Sequence, residues 1–400
     1  MLEVKDLNEV IDIIKDEFDL HTPFNETISI DNAIGRVLDE TIVSNEDIPG
    51  FNRSTVDGYA VKSSDLFGCS ESIPSILQLA GNVSMGEVSE FNLVNGQCVY
   101  IPTGGQLPKG KDSVVMLEYC EDFRDGTIGI YKSTAPGQNI IFSGDDVKKG
   151  QIVMQKGRLL TCKEIGILAA MGYSSIKVIK PPKVGVISSG DELISFNQEV
   201  KGSQIRDVNG PMISSALKSL GCDVVFMGII PDSYELLKEV VIQGTDECDM
   251  LIITGGTSVG EKDVMPKIIR DLGKLLVHGI AIKPGKPTAI GKVNEKPVFA
   301  LPGHPVAAYF MFKLLIEKSI YILKKEIMPE KLAIGYLNCA VASNHGREEC
   351  IAVSYNEKEV TPILGKSGLI SRLIKADGFI MIKRDSEGYD KGKEVTVHLF

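Results

Sequence analysis

The eight cysteines of this 400-residue chain, at positions 69, 98, 120, 162, 222, 248, 339 and 350, never fall at the two-residue spacing of a zinc knuckle or a redox pair. No histidine pair has metal-binding spacing either, so the thiols read as reduced core residues of a cytosolic protein. No apolar run approaches the roughly 18 residues that cross a bilayer. The first twenty residues, MLEVKDLNEVIDIIKDEFDL, carry acids throughout where a signal peptide would have an unbroken apolar stretch. Basic excess is missing too: 43 Lys and Arg against 53 Asp and Glu leave a net charge of −10, which argues against nucleic acid as a partner. Repeats, low-complexity stretches and long linkers are also absent. The expectation is a soluble cytoplasmic protein that binds neither membrane nor nucleic acid.

What is present is a globular composition, 43% apolar and 24% charged, on a chain long enough for two to four domains. Leu7, Val10, Ile11, Ile14 and Phe18 recur at helical spacing and predict an amphipathic first helix. From about 46 to 145, short apolar runs broken by Gly, Pro and Asn predict β structure with many turns. Thr161 and Glu164 have capping-box spacing ahead of a helix that Gly172 would stop. After Pro181-Pro182, the runs VGVIS, DVVFMGII, MLIIT and VFAL alternate with helical segments, one of them capped by Asp232 and Glu235 and another starting at Pro305. That alternation predicts a mostly parallel sheet with helices on both faces, whose ligands bind beyond the carboxyl ends of the strands. Alternating segments after about 328 predict a small β domain.

The most informative stretch is Leu251–Asp263, LIITGGTSVGEKD: a buried strand, a glycine-rich loop and two acids. Glycine leaves backbone N–H groups open to an anion, and carboxylates beyond such a loop suit a Mg²⁺ that also holds phosphate oxygens. There is no G-x-G anywhere, and Gly260 is followed by Glu261 where a P-loop needs Lys, so both familiar nucleotide fingerprints fail. Nearby loops reinforce the anion reading. SSGDEL (188–193) ends in Asp191 and Glu192, though it would equally serve as a helix cap with first-turn acids. IKPGKP (282–287) holds Lys283 and Lys286 on a proline-stiffened turn, and ALPGHPVAA (300–308) offers backbone amides ahead of Pro305. FNRSTVDGYAV (51–61), IPTGGQLPKG (101–110) and SGDDVKKG (143–150) contribute Asp57, Thr103, Asp145 and Asp146. A lone Asp-Gly is ordinarily just a turn, and spacing alone does not connect these loops to the others.

Together with QIRDVNG, these strings run in order from 51 to 308 and closely resemble the molybdopterin molybdenumtransferase family, MoeA, which includes the E domain of gephyrin. The resemblance implies the last step of molybdenum cofactor synthesis: adenylylated molybdopterin and molybdate are converted to the cofactor, with Mg²⁺, and AMP is released. The implied fold is multidomain α/β plus β. An elongated N-terminal domain would comprise 1–45 plus 146–178, with a β-rich inserted domain at 46–145. A three-layer α/β molybdopterin-binding domain would span 179–327 and a small C-terminal β domain 328–400. A homodimer is implied, its active cleft shared between subunits, with molybdopterin adenylyltransferase and molybdoenzyme acceptors as further partners.

Site roles follow from the same resemblance. Glu192, Asp232 and Asp263 match acids that serve the metal and the pterin phosphate; Mg²⁺ takes only one or two protein carboxylates directly. Gly255, Gly256, Ser258 and Gly260 would cradle phosphate, with Lys283 and Lys286 supplying charge. Asp57 and Asp146 match acids needed for activity. Thr103, Ser188, Gly190, Asp207, Pro302, Gly303 and His304 complete the expected pterin contacts, with Ser367 and Arg372 from the GKSGLISRL segment. His304 stands where the family commonly has Asn, which bears on oxyanion preference, molybdate against tungstate. Two rival readings are a molybdopterin adenylyltransferase, which consists of the α/β domain alone, and a non-catalytic pterin carrier or scaffold.

Overall fold

The structure is a computed structural model that describes residues 4–18, 25–256, 264–324 and 328–400. Two compact units emerge, one formed by residues 27–178 and the other by 1–26 together with 179–400.

The larger unit is built on a six-stranded sheet. Its spatial order is Asp223–Ile230, Lys183–Ser189, Met250–Thr254, Lys296–Leu301, Ala289–Val293 and Gly273–His278. The first four strands are parallel and the last two pair antiparallel, so the sheet is mixed with a parallel majority. Strand side chains alternate between faces, and the burial shows it. Met250, Ile252, Phe299 and Leu301 join a core with the first helix, Leu7–Phe18, and the helix Asn209–Ser219. Leu251, Ile253, Val298 and Ala300 face a second core with helices Tyr234–Glu247 and Val264–Leu272. Two cores flanking one sheet make the three layers.

The first helix buries Leu7, Val10, Ile14 and Phe18 in the first of these cores, with Phe18 edge-on to Phe299 at 5.7 Å. Helical spacing gave its apolar stripe, but no local pattern says which core receives that stripe. The family resemblance implies a grouping of residues 1–45 with 146–178, whereas residues 1–26 cluster here with 179–400. The helix from Pro305 runs to Leu323 and contains a π-helical turn, Phe312–Ile316. Beyond it, a second six-stranded sheet takes five strands from residues 332–399 and one, Ile282–Lys283, from the lysine-bearing turn.

In the smaller unit, six strands between Gly58 and Ile130 form one sheet. The flanking segments pair as Asn25–Ser29 with Ser175–Ile179 and Ile42–Val43 with Ile152–Met154, beside the helix Cys162–Ala170. That helix starts as its sequence requires, with Thr161 at the cap and Glu164 returning to it, and Gly172 follows its end at φ +75°. Among the described residues no helix is long and apolar enough to cross a membrane.

Candidate functional site

At the carboxyl edge of the parallel strands, hydrogen bonds tie the loops together. Gly190 N donates to Ile230 O at 3.2 Å and Gly255 N to Leu301 O at 3.1 Å. Gly255 has φ +95°, and a Cβ there would lie 2.1 Å from the Ser189 carbonyl oxygen, so only glycine permits this approach. A Cβ on Gly303 would in turn be 3.8 Å from the Gly255 Cα. Three chain segments, at 189, 255 and 303, thus meet at one place. Pro302 is buried beside Gly303, while Gly303 and His304 are exposed. Ser258, Gly260 and Asp263 lie outside the described residues.

Asp232 does not cap the helix expected to follow it; Ser233 occupies that position. Its Oδ1 accepts a hydrogen bond from Ser189 Oγ at 2.5 Å and lies 3.9 Å from where a Gly256 Cβ would stand. Asp191 Oδ1 accepts from Asp232 N at 3.1 Å. No helix follows SSGDEL, so Asp191 and Glu192 are not first-turn acids; a turn leads into the short strand Leu193–Ile194. Glu192 is exposed, its carboxylate folded back to 3.0 Å from a Gly190 Cβ position.

Beneath these lies a buried polar layer. Ser188 Oγ donates to Asp207 Oδ2 at 2.7 Å, and Gly210 N donates to Asp207 Oδ1 at 3.0 Å. Asn209 Nδ2 holds the Gly303 carbonyl at 2.8 Å, whereas Asn209 Oδ1 and Thr254 Oγ1 are buried with no partner among the described residues. Buried polar atoms without partners are costly, and a functional site is where such cost is tolerated. Ser189, Asn209 and Thr254 were missed by the sequence reading, although Ser189 and Thr254 stand next to residues it did select.

The C-terminal segment reaches the same edge. His304 Nδ1 is 2.9 Å from Ser367 Oγ, and Val306 N donates to Ser367 O at 3.1 Å. Arg372 is engaged elsewhere: its guanidinium donates to the carbonyls of Ile363, Gly365 and Lys366, which makes it a brace for that turn. Lys283 is not free either, since its Nζ pairs with Glu349 Oε1 at 2.6 Å, while Lys286 is exposed.

In the smaller unit the three motif loops meet. Residues Arg53–Ser54 pair antiparallel with Ile140–Ile141, Gly104 N donates to Ser54 O, and Leu107 N to Asn52 O. Asn52 Oδ1 accepts from Ser143 N at 2.9 Å. Asp57 Oδ1 accepts from Thr103 N at 2.7 Å, which joins the first and second motifs directly. The pair Asp57-Gly58 is not a turn: Gly58 opens a strand, and a Cβ on it would lie 1.9 Å from Val115 O. Asp145 Oδ2 accepts from Phe142 N inside its own loop, whereas Asp146 is exposed on the same turn.

For a Mg²⁺ the described residues offer Asp232 beside Gly256 and, on the neighbouring strand-end turn, Glu192 beside Gly190, while no group of three or more metal-ligating side chains gathers among the described residues. Two carboxylates suffice for an ion that completes its shell with phosphate oxygens and water, so the residues fit it.

Three family profiles match nearly the whole chain: the MoeA N-terminal region (domain I and II) over residues 5–172, a "probable molybdopterin binding domain" over 185–321 and the MoeA C-terminal region (domain IV) over 335–400. A Methanocaldococcus jannaschii protein described as a molybdopterin biosynthesis protein is 38% identical, over 93% of this chain and 91% of its own. The molybdopterin molybdenumtransferase of Haemophilus influenzae is 33% identical over 94% of each. A crystal structure of a molybdopterin biosynthesis MoeA protein from Pyrococcus horikoshii superimposes with a TM-score of 0.88 at 37% identity, covering 99% of both chains. The chain belongs to the MoeA family, the molybdopterin molybdenumtransferases.

Proposed function

We propose that this transferase inserts molybdate into adenylylated molybdopterin and releases AMP, with Mg²⁺, and that it works in the cytoplasm as a homodimer. The observation that carries the reading is the close approach of Gly255, where only glycine fits, to the Ser189 backbone, with Gly303 beside it, at the strand edge where the glycine loop begins. Amides of the glycine loop, from Gly256 on to Ser258 and Gly260, hold the terminal phosphate, while Gly255, its own N–H donated to Leu301 O, lets the loop pass close to Ser189, and Lys283 and Lys286 add charge. Ser188 and Asp207 keep the strand end and the Asn209 helix in register beneath it, while Gly190, Pro302, Gly303, His304 and Ser367 border the pterin.

Glu192, Asp232 and Asp263 are the acids assigned to Mg²⁺, of which one or two bind directly. When bound, that ion supplies charge neutralisation at the pyrophosphate oxygens. Asp57 and Asp146 serve the reacting end. Asp57 is held by the Thr103 amide, with its second oxygen left to accept a proton or orient a hydroxyl of the oxyanion. The leaving group is AMP, so no covalent enzyme intermediate is needed and no cysteine is assigned a role.

The test is AMP release from adenylylated molybdopterin with Mg²⁺, with and without molybdate or tungstate. Oxyanion-dependent release, lost in Glu192→Gln and Asp263→Asn, is the expected result. Binding of the pterin without AMP release under either oxyanion would overturn the enzyme reading in favour of a carrier.

A further inference from the structure

Lys283 stands on a two-residue strand, Ile282–Lys283, that leaves the α/β sheet and adds in parallel to Glu348–Asn356 of the C-terminal sheet. The register sets Lys283 against Glu349, and their side chains meet at 2.6 Å. The Glu349 side chain is only 12% exposed against 42% for Lys283, so the acid is the more enclosed member and the lysine the one open to solvent. Its other oxygen, Oε2, accepts from Ser343 Oγ at 2.7 Å, which commits both carboxylate oxygens.

We infer that Glu349, braced by Ser343, is a positioning residue for Lys283: it holds the ammonium in place before the phosphate of the substrate arrives. The inference rests on the proposed phosphate role of Lys283. A free lysine loses substantial rotamer freedom when it binds an anion. Here the strand pairing and the ion pair have already taken that freedom, and two of the three Nζ donors remain for the phosphate. The arrangement also places an element of the C-terminal domain in control of a turn belonging to the α/β domain. Glu349 touches no substrate in this scheme and acts only through the lysine.

Glu349→Gln keeps the volume and the hydrogen bond from Ser343 while removing the charge. It should raise KM for adenylylated molybdopterin by about tenfold, the cost of ordering one long side chain, and leave kcat unchanged. Ser343→Ala should move KM in the same direction by less. In a double-mutant cycle, Glu349→Gln should add nothing to Lys283→Met, since the acid has no other target. Full additivity would mean that Glu349 merely supports the sheet, and an unchanged KM in Glu349→Gln would mean that it positions nothing; either outcome overturns the inference. If Lys283→Met itself leaves KM unaltered, the phosphate role of the lysine fails first and takes this inference with it.

Discussion

Substituting Gly255 by alanine tests the centre of the site. The new Cβ would stand 2.1 Å from the Ser189 carbonyl oxygen and 3.1 Å from its carbon. That is short of an ordinary contact by more than about 1 Å, and the obstacle is backbone, which cannot rotate aside. The φ of +95° adds a cost of about 1–2 kcal/mol for any residue with a Cβ. Forcing an extra methyl into packed structure adds typically about 1–3 kcal/mol, so the expected loss is about 2–5 kcal/mol. A domain of ordinary stability survives this, but the strand end carrying Ser189 must shift, and Ser189 holds Asp232.

A displacement of about 1 Å at a reacting centre costs on the order of 10²-fold in rate. Urea unfolding read by circular dichroism, with AMP-release kinetics on the same preparation, gives both quantities. Gly392→Ala is the control: φ is +83° but nothing lies within 4 Å, so it should show the dihedral cost alone and full activity. A Gly255→Ala protein with the unfolding midpoint and turnover of the parent would refute the close approach and the reading built on it.

Gly166 lies exposed inside the helix Cys162–Ala170 with open space where a Cβ would go, so Gly166→Ala should stabilise the smaller unit by about 0.5–1 kcal/mol in thermal melts. The Thr161 hydroxyl and the Arg158 guanidinium hold the Glu164 carboxyl down at about 2 from the usual 4.5. Its stabilising contribution is therefore complete above about pH 4.5 and drains away as pH falls towards 2. Denaturation midpoints followed across that window should fall for the parent and stay flatter for Glu164→Gln. Asp57→Asn can still accept the Thr103 amide, so it should fold normally, yet AMP release should drop on the order of 10²-fold; full activity would remove Asp57 from the reacting end.

Elements with a complete local signal were legible in the sequence. The Thr161 box, the strands from Lys183 to Leu301 that reached the parallel core, and the helix at Pro305 all stand where composition and periodicity put them. What was hidden depends on partners distant in sequence. The antiparallel hairpin Ala289–Val293 with Lys296–Leu301 turns through Asn294 and Glu295, both at positive φ, and only the asparagine hints at it. Gly58 looked like a turn residue because its neighbour is Asp57; its actual constraint is Val115, fifty-seven positions away. Asp232 looked like a helix cap because a helix does follow, but Ser189 claims it from another strand. Glu349 carries no motif at all, and its role is visible only once two sheets share the Ile282–Lys283 strand.

These contacts also bear on how a chain of net charge −10 would hold the oxyanions that the proposed function requires. Free cations are not the main device. Lys283 comes paired with Glu349 and so brings little net charge, and Arg372 is spent on three carbonyls, which leaves Lys286 as the one of those three with no acid against it among the described residues. Acids, by contrast, crowd the same edge: Asp191, Glu192 and Asp232. In the proposed site, where the Gly255 N–H is already spent on Leu301 O, attraction would come chiefly from backbone N–H dipoles around Gly256 and Gly303 and from the divalent cation that the acids would recruit. A site built this way discriminates by shape and by metal more than by net charge. Binding of the pterin substrate should then weaken steeply on Mg²⁺ removal and only modestly with added salt, because screening acts weakly on dipoles at contact distance. The opposite pattern, strong salt dependence with indifference to Mg²⁺, would mean that the lysines carry the load and that the glycine junction is merely structural.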